Sequence, residues 1–261
     1  MMDSDSHRLR LLSSVSDDER VLLRHIIDLG RGSMSSGRSR FSCFLDERQL
    51  ALCCVSLKQY SDGGEIPDYE IIGGYDGAER QVIVFSGHGY AVPFSPVVFS
   101  GRDVGRLTHR DFLGTLMSLN IKREMIGDIL AGEKRTVAFV MNSVLPLVEE
   151  ISKIGGVGVN ISHDFTESDI PEKKFETINA TVKSLRIDAV LSDAIGLSRE
   201  KTQALIRSEG VMLNHLMIFD PSEKVCEGDV FSVRGKGKFR LNSVGGMSKK
   251  DRIFITIYKF K

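Results

Sequence analysis

The chain has no tryptophan, only six prolines, and four cysteines that never fall as Cys-x-x-Cys. Cys43, Cys53, Cys54 and Cys226 suit neither a zinc site nor a disulfide framework, so reduced thiols in a cytosolic setting are expected. His7, His25, His88, His109, His163 and His215 are scattered and suggest no metal cluster. No metal and no cofactor is therefore expected. No stretch approaches the ~20 apolar residues of a spanning helix. The opening residues, which include Asp3 and Asp5, lack the apolar run of a secretory signal. Neither a membrane partner nor export is expected. Low-complexity tracts and internal repeats are also missing.

Net charge is absent too, because 35 Lys and Arg balance 35 Asp and Glu. The balance hides an asymmetry. Residues 182–261 hold 15 basic against 9 acidic side chains, a net of +6, and the remainder holds 20 against 26, a net of −6. Opposite charge on two parts of one chain suggests that one part meets a polyanion. With 261 residues, 41% of them hydrophobic, there is material for one large or two to three small domains with a sizeable core.

Residues 1–70 read as helical. Ser16 and Glu19 form a capping box, followed by Leu22, Leu23, Ile26 and Ile27 at helical spacing; Gly30 and Gly32 are expected to stop that helix. The Gly/Ser/Arg run 31–40 then predicts a flexible connector, and Asp46 to Tyr60 a second helix. Residues 71–165 mix strands and helices. Strands are expected over Gln81–Ser86, Val97–Ser100, Thr136–Met141 and Val157–Ile161, and helices from Thr108 to Leu119, Lys122 to Leu130 and Leu145 to Ile154. Such alternation predicts an α+β sandwich of ferredoxin type. The polar stretch His163–Glu176 predicts a linker.

Residues 182–261 carry the most informative pattern. Ser184 is placed as cap of a helix over Leu185–Ala194, ended by Gly196; Ser198 caps a second helix over Arg199–Ser208, ended by Gly210. Two apolar runs, Val211–Leu213 and Leu216–Phe219, flank Asn214-His215 at hairpin spacing. Ser198, Arg199, Lys201 and Thr202 gather at a helix N-terminus, where free N–H groups and the helix dipole favour phosphate. A second basic cluster, Arg234, Lys236, Lys238 and Arg240, is expected to leave the sheet, with Phe239 available either to the core or to stack on a base.

Arg186-Ile187-Asp188, Gly196-Leu197-Ser198-Arg199, Ala204-Leu205-Ile206, Gly210-Val211, Asn214, Pro221 and Gly228-Asp229 together resemble the S4 RNA-binding domain, two helices followed by a hairpin. One departure is His215, where that domain usually carries glycine in the turn. Gly73-Gly74-Tyr75-Asp76-Gly77-Ala78-Glu79-Arg80, Leu107 to Gly114, Ile121-Lys122-Arg123-Glu124, Ile126-Gly127-Asp128-Ile129, Ile154-Gly155-Gly156-Val157 and Phe44-Leu45-Asp46 resemble the YlmH family, over nearly the whole chain. That resemblance implies a helical N-terminal region, an RRM-like central domain and a C-terminal S4 domain. It also implies a bacterial cytoplasmic, ribosome-associated factor without catalytic residues. Its partners would be ribosomal RNA, tRNA, the large ribosomal subunit and other quality-control factors that handle stalled peptidyl-tRNA. Links of the family to cell division and photosystem assembly leave the role of this copy open.

The residues assigned to RNA on this reading are Arg186, Ser198, Arg199, Lys201, Thr202, Asn214, Arg234, Lys236, Lys238 and Arg240, with Lys122 and Arg123 as a second RNA surface. Arg80, His109 and Arg110 lie in the same motifs; their helix charges equally suit caps, ion pairs and solvation. The rival reading is an RNA-modifying enzyme carrying an S4 domain. A pseudouridine synthase needs a catalytic aspartate in a large separate domain; Asp188 superficially fits, but it lies inside the S4-like first helix, where it reads as structural. A methyltransferase needs a glycine loop between strand and helix; Gly87-His88-Gly89 and Gly155-Gly156-Val157-Gly158 are the candidates, the second following a helix, which is the wrong context. A protein-interaction factor with an incidental basic tail is the third reading; it predicts no salt-dependent ribosome binding.

Overall fold

A computed structural model of the chain describes residues 10–86, 89–172 and 174–260. The fold is α+β and divides into two compact units: Ser16–Pro171, and Glu172–Lys261 together with Met1–Val15. No helix among the described residues is long and apolar enough to cross a membrane.

In the 16–171 unit, helix α1 (Asp17–Ser36) starts at the expected capping box, with Ser16 and Glu19 bonding each other's backbone N–H. It does not stop at Gly30. The expected connector is helical through Ser36, and Gly37 at φ 64° ends it. Gly30 is there for close approach: a Cβ at that position would lie 2.8 Å from Ile66 Cγ2 and 3.1 Å from Phe85. Helix α2 (Glu47–Asp62) is capped by Asp46 and Gln49.

Strands β1 (Arg40–Phe41), β2 (Tyr69–Ile72) and β3 (Val82–Phe85) form an antiparallel sheet in the order β1-β3-β2. Then follow β4 (Phe94–Ser100), α3 (His109–Ser118), β5 (Ile126–Ala131), β6 (Arg135–Met141), α4 (Leu145–Glu149), the short hairpin β7 (Lys153–Ile154) and β8 (Val157–Gly158), and β9 (Asn160–Ser162). The second sheet runs β5-β6-β4-β9, all neighbours antiparallel. This is the β-α-β-β-α-β connectivity of a ferredoxin-like sandwich. Its inner strands are apolar on both faces, as expected of strands covered on both sides. One face packs Val97, Phe99 and Val140 against Phe112 and Leu116 of α3 and Val148 of α4. The other packs Val98, Val137 and Phe139 against Phe44, Val82 and Val84. Strand β3 also faces the other way, where Ile83 and Phe85 meet Ile26, Cys53 and Leu57 of α1 and α2.

Further expectations in this unit are corrected. The helix expected over Lys122–Leu130 is a 3-10 turn (Arg123–Met125) followed by β5. Ile126, Ile129 and Leu130 are buried as their spacing suggested, but a register shift between Ile126 and Ile129 lets a strand mimic the helical interval. The helix from Leu145 ends at Glu149, and Ile154 belongs to β7. The strand expected over Val157–Ile161 is two strands, one pairing with β7 and one with β4. The first half of the expected linker is not loose: Phe165 and Ile170 pack on the core and Asp169 lies 3.2 Å from Arg135.

The second unit holds β10 (Phe175–Val182), α5 (Ile187–Ile195), α6 (Arg199–Glu209), β11 (Val211–Leu213), β12 (Leu216–Ile218), β13 (Val230–Val233), β14 (Gly237–Met247) and β15 (Ile253–Phe260). The strands form one antiparallel sheet in the order β10-β15-β14-β13-β11-β12. Its inward residues, including Val182, Phe231, Phe239, Leu241, Ile255 and Ile257, are buried, as are Ile187, Val190 and Leu191 of α5. Ser184 is not the cap of α5: the helix begins two residues later, with Arg186 at the cap and Asp188 N–H donating to Pro221 O. Asn214 and His215 have φ of 44° and 69° and close the hairpin with both central residues left-handed, as a type I′ turn requires.

Candidate nucleic-acid interface

The start of α6 is built around one acid. Asp188 is fully buried, and two guanidinium groups fork onto its carboxylate. Arg199 donates from Nε at 3.0 Å and Nη2 at 3.2 Å, Arg186 from Nε at 3.1 Å and Nη2 at 3.2 Å, and Gln203 Nε2 adds a bond of 2.5 Å. Burial alone would raise the carboxyl pKa. The hydrogen bonds of Arg199, Arg186 and Gln203 overcome it and hold the group at about 2. The side chains of Arg186 and Arg199 stay 36% and 46% exposed, so two positive charges are fixed at the surface against one buried negative charge. Ser198 caps α6, its Oγ accepting from Lys201 N–H, and the Lys201 side chain is exposed beside it.

Two residues assigned to RNA turn inward instead. Thr202 is buried and its hydroxyl donates to Ser198 O at 3.0 Å, a bond within its own helix. Asn214 spends its side chain on the fold: Nδ2 donates to Asp229 Oδ1 at 2.8 Å and Oδ1 accepts from Val230 N–H at 2.9 Å. The second basic cluster does not leave the sheet. Arg234 and Lys236 are exposed on the turn joining β13 to β14, and Lys238 and Arg240 lie on β14, pointing to the face opposite the core. Phe239 is buried and stacked on Phe231 at 5.6 Å, so it is not available to a base. The assigned cations thus fall into a helix-end group and a sheet group.

In the other unit the family-like motifs converge on a polar knot. Asp128 accepts from Tyr75 OH at 2.7 Å and from the N–H groups of Glu79 and Arg80 at 2.7 and 3.1 Å. Arg80 donates to the carbonyls of Ile126 and Phe44, and Arg123 to that of Ile126. Burial lowers the pKa of both arginines. Gly74, at φ 91°, admits Phe139, because a Cβ there would stand 2.4 Å from its ring. Asp111 caps α3 through Thr108 N–H. These residues hold the backbone; Arg80 and Arg123 present little to a ligand, and Lys122 is the exposed member of the second surface. His109 is a weak base, its pKa lowered by burial and by Arg123.

The enzyme-like motifs lose their context. Asp188 is enclosed by its own partners. Gly155 and Gly156 form the β7–β8 turn, not a loop entering a helix. Gly87 and His88 lie outside the described residues. Sequence reasoning missed Phe175, Tyr258 and Phe260, which share the outer sheet face with Lys238; the alternation of Ile253–Phe260 was the available signal.

Comparison with known proteins follows the same outline. The family described as "Putative RNA-binding domain in YlmH" matches residues 96–167. The chain is 30% identical over 253 residues to the Bacillus subtilis (strain 168) protein named "Ribosome-associated protein quality control protein P2", covering 94% of this chain and 96% of the relative. Among solved structures, the cell division protein ylmH from Streptococcus pneumoniae aligns with a TM-score of 0.51 at 17% identity, over 60% of this chain and 97% of its own; this likeness speaks to the fold.

Proposed function

This chain belongs to the YlmH family, and from that membership we propose that it is a non-enzymatic RNA-binding factor that acts on the ribosome. It grips ribosomal RNA and tRNA on the large subunit through the α5–α6 and hairpin module of S4 type, in quality control of stalled peptidyl-tRNA in the cytoplasm. The observation that carries this reading is the pair of surface guanidinium groups locked onto buried Asp188 at the start of α6. Fixing both arginines beforehand removes much of the ordering cost of gripping a phosphate, and a fork of N–H donors suits phosphate oxygens. Ser198 and Lys201 extend the grip along the helix end, where the dipole adds to it. The family match at residues 96–167 supports a second contact around Lys122, with Arg123 holding the backbone behind it. The curated relative's name supports the ribosomal setting.

Co-sedimentation of the full chain with separated ribosomal subunits tests the reading. Binding to large subunits should weaken with salt, log K falling by about 0.7–0.9 per phosphate contacted for each tenfold rise in salt. Lys201→Ala should lower affinity and reduce that slope by about one contact. Equal pelleting of wild type, Lys201→Ala and Arg199→Ala with large subunits would remove α6 from the interface.

A further inference from the structure

The outer face of the six-stranded sheet carries a second kind of chemistry. Strands β10, β15 and β14 lie side by side, and cross-strand register decides which side chains share a face. Phe175 pairs with Phe260, and Tyr258 with Arg240, while the inward partners Leu241 and Ile257 are buried. Phe175 therefore sits with Tyr258 and Phe260: its ring stacks on Tyr258 at 5.2 Å and meets Phe260 edge-on at 5.2 Å. Lys238 lies over Phe260, 5.5 Å from the ring centre. Phe254 continues the same face. Phe175 and Phe254 remain 40% and 51% exposed, so the face presents apolar ring surface to solvent.

The other outward positions on these three strands are Thr, Asn, Ser and Gly, and no carboxylate stands among them. Glu176 points to the opposite face with Lys259, and Glu227 reaches only the margin, where it accepts from Val244 N–H. Rings flanked by cations on an acid-free face suit nucleobases and their phosphates: any base has a face to stack, and Lys238 and Arg240 lie where the backbone would run. A protein partner would find the rings equally apolar, but the charge favours a polyanion. In the 16–171 unit the corresponding sheet face is closed, since Phe139 and Phe94 are buried under Phe44, Val82 and Val84. We infer that the β10-β15-β14 face binds unpaired nucleotides by stacking on Phe175, Tyr258 and Phe260, as a site distinct from the helix-end grip. The inference rests on the RNA-binding reading above, and its test separates the two.

The chain has no tryptophan, so Tyr258→Trp installs a single reporter on this face of the full-length protein. A single-stranded oligouridylate of about 12 nucleotides, within the usual span of such platforms, should quench it saturably, and a blunt RNA duplex of the same length should not. Adding Phe175→Ala should weaken the single-strand affinity about 5- to 150-fold, the effect of losing one stacked base. Lys238→Gln, which keeps every ring, should lower both affinity and salt dependence. Lys201→Ala should spare oligouridylate binding while impairing large-subunit binding. Four results would overturn the inference: unchanged emission, equal quenching by duplex, loss of oligouridylate binding in Lys201→Ala, or an emission shift that tracks protein concentration without RNA, which would assign the face to contact between copies of the chain.

Discussion

Replacing Asp188 by Asn keeps the shape of the side chain at the start of α6 and removes the charge that two arginines share. The carboxyl is held at about 2, against 3.8 for an ordinary aspartate. At about 1.4 kcal/mol per pH unit, that gap corresponds to roughly 2 kcal/mol of folding stability. The sign follows from the lowered pKa. The stabilisation is complete above about pH 4, where the unfolded chain's carboxyl is ionised, and fades as pH falls towards 2, where the folded one protonates. Asp188→Asn should therefore cost roughly 2 kcal/mol at neutral pH, and the gap to wild type should close between about pH 4 and pH 2. Two units need not unfold together, so the readout is hydrogen exchange of amides in residues 187–209, corrected for intrinsic rates at each pH. A gap that stays constant from pH 7 to pH 2 would refute the reasoning, because the cost would then lie in hydrogen-bond geometry and not in the charge.

Gly74→Ala meets both a left-handed backbone and the Phe139 ring, and should destabilise the 16–171 unit by about 1–3 kcal/mol in urea unfolding. Tyr75→Phe removes one hydrogen bond to Asp128 and should cost about 1 kcal/mol in the same assay, while leaving RNA binding unchanged. His215→Gly places the residue that a left-handed turn favours at φ 69° and should raise the stability of the other unit by about 0.5–1 kcal/mol, read from exchange of the hairpin amides. Thr202→Val, which removes a buried hydroxyl committed to Ser198 O, should leave the salt dependence of ribosome binding unaltered.

Local signals in the sequence reported local structure well. The capping box at Ser16, the Ser198 cap and the Asn214-His215 turn each depend on residues within four positions of one another. What escaped was set by distant partners. Gly30 looks like a helix stop until Ile66 and Phe85 require its missing side chain. The interval in β5 looks helical because a bulge spaces three buried residues as a helix would. In the candidate site, charge alone did not assign roles. Nothing local distinguishes an arginine for phosphate from one for Asp188, and here Arg186 and Arg199 hold Asp188 while staying half exposed. Arg80 and Arg123, read from motifs as surface cations, bond backbone carbonyls. The aromatic face was hidden because β10 and β15 are separated by some 70 residues of chain before they pair.

Strand β3 is apolar on both sides, so polarity cannot fix how it is threaded between its neighbours. Size does. Val82 and Val84 fill one core and the larger Ile83 and Phe85 the other. A slip by one position would exchange the two sets, cramming a phenylalanine into the space of a valine and leaving a void where the ring had been. The threading is thus enforced by volume, and neighbouring substitutions in Val82–Phe85 should be tolerated only in pairs that preserve the small-large alternation.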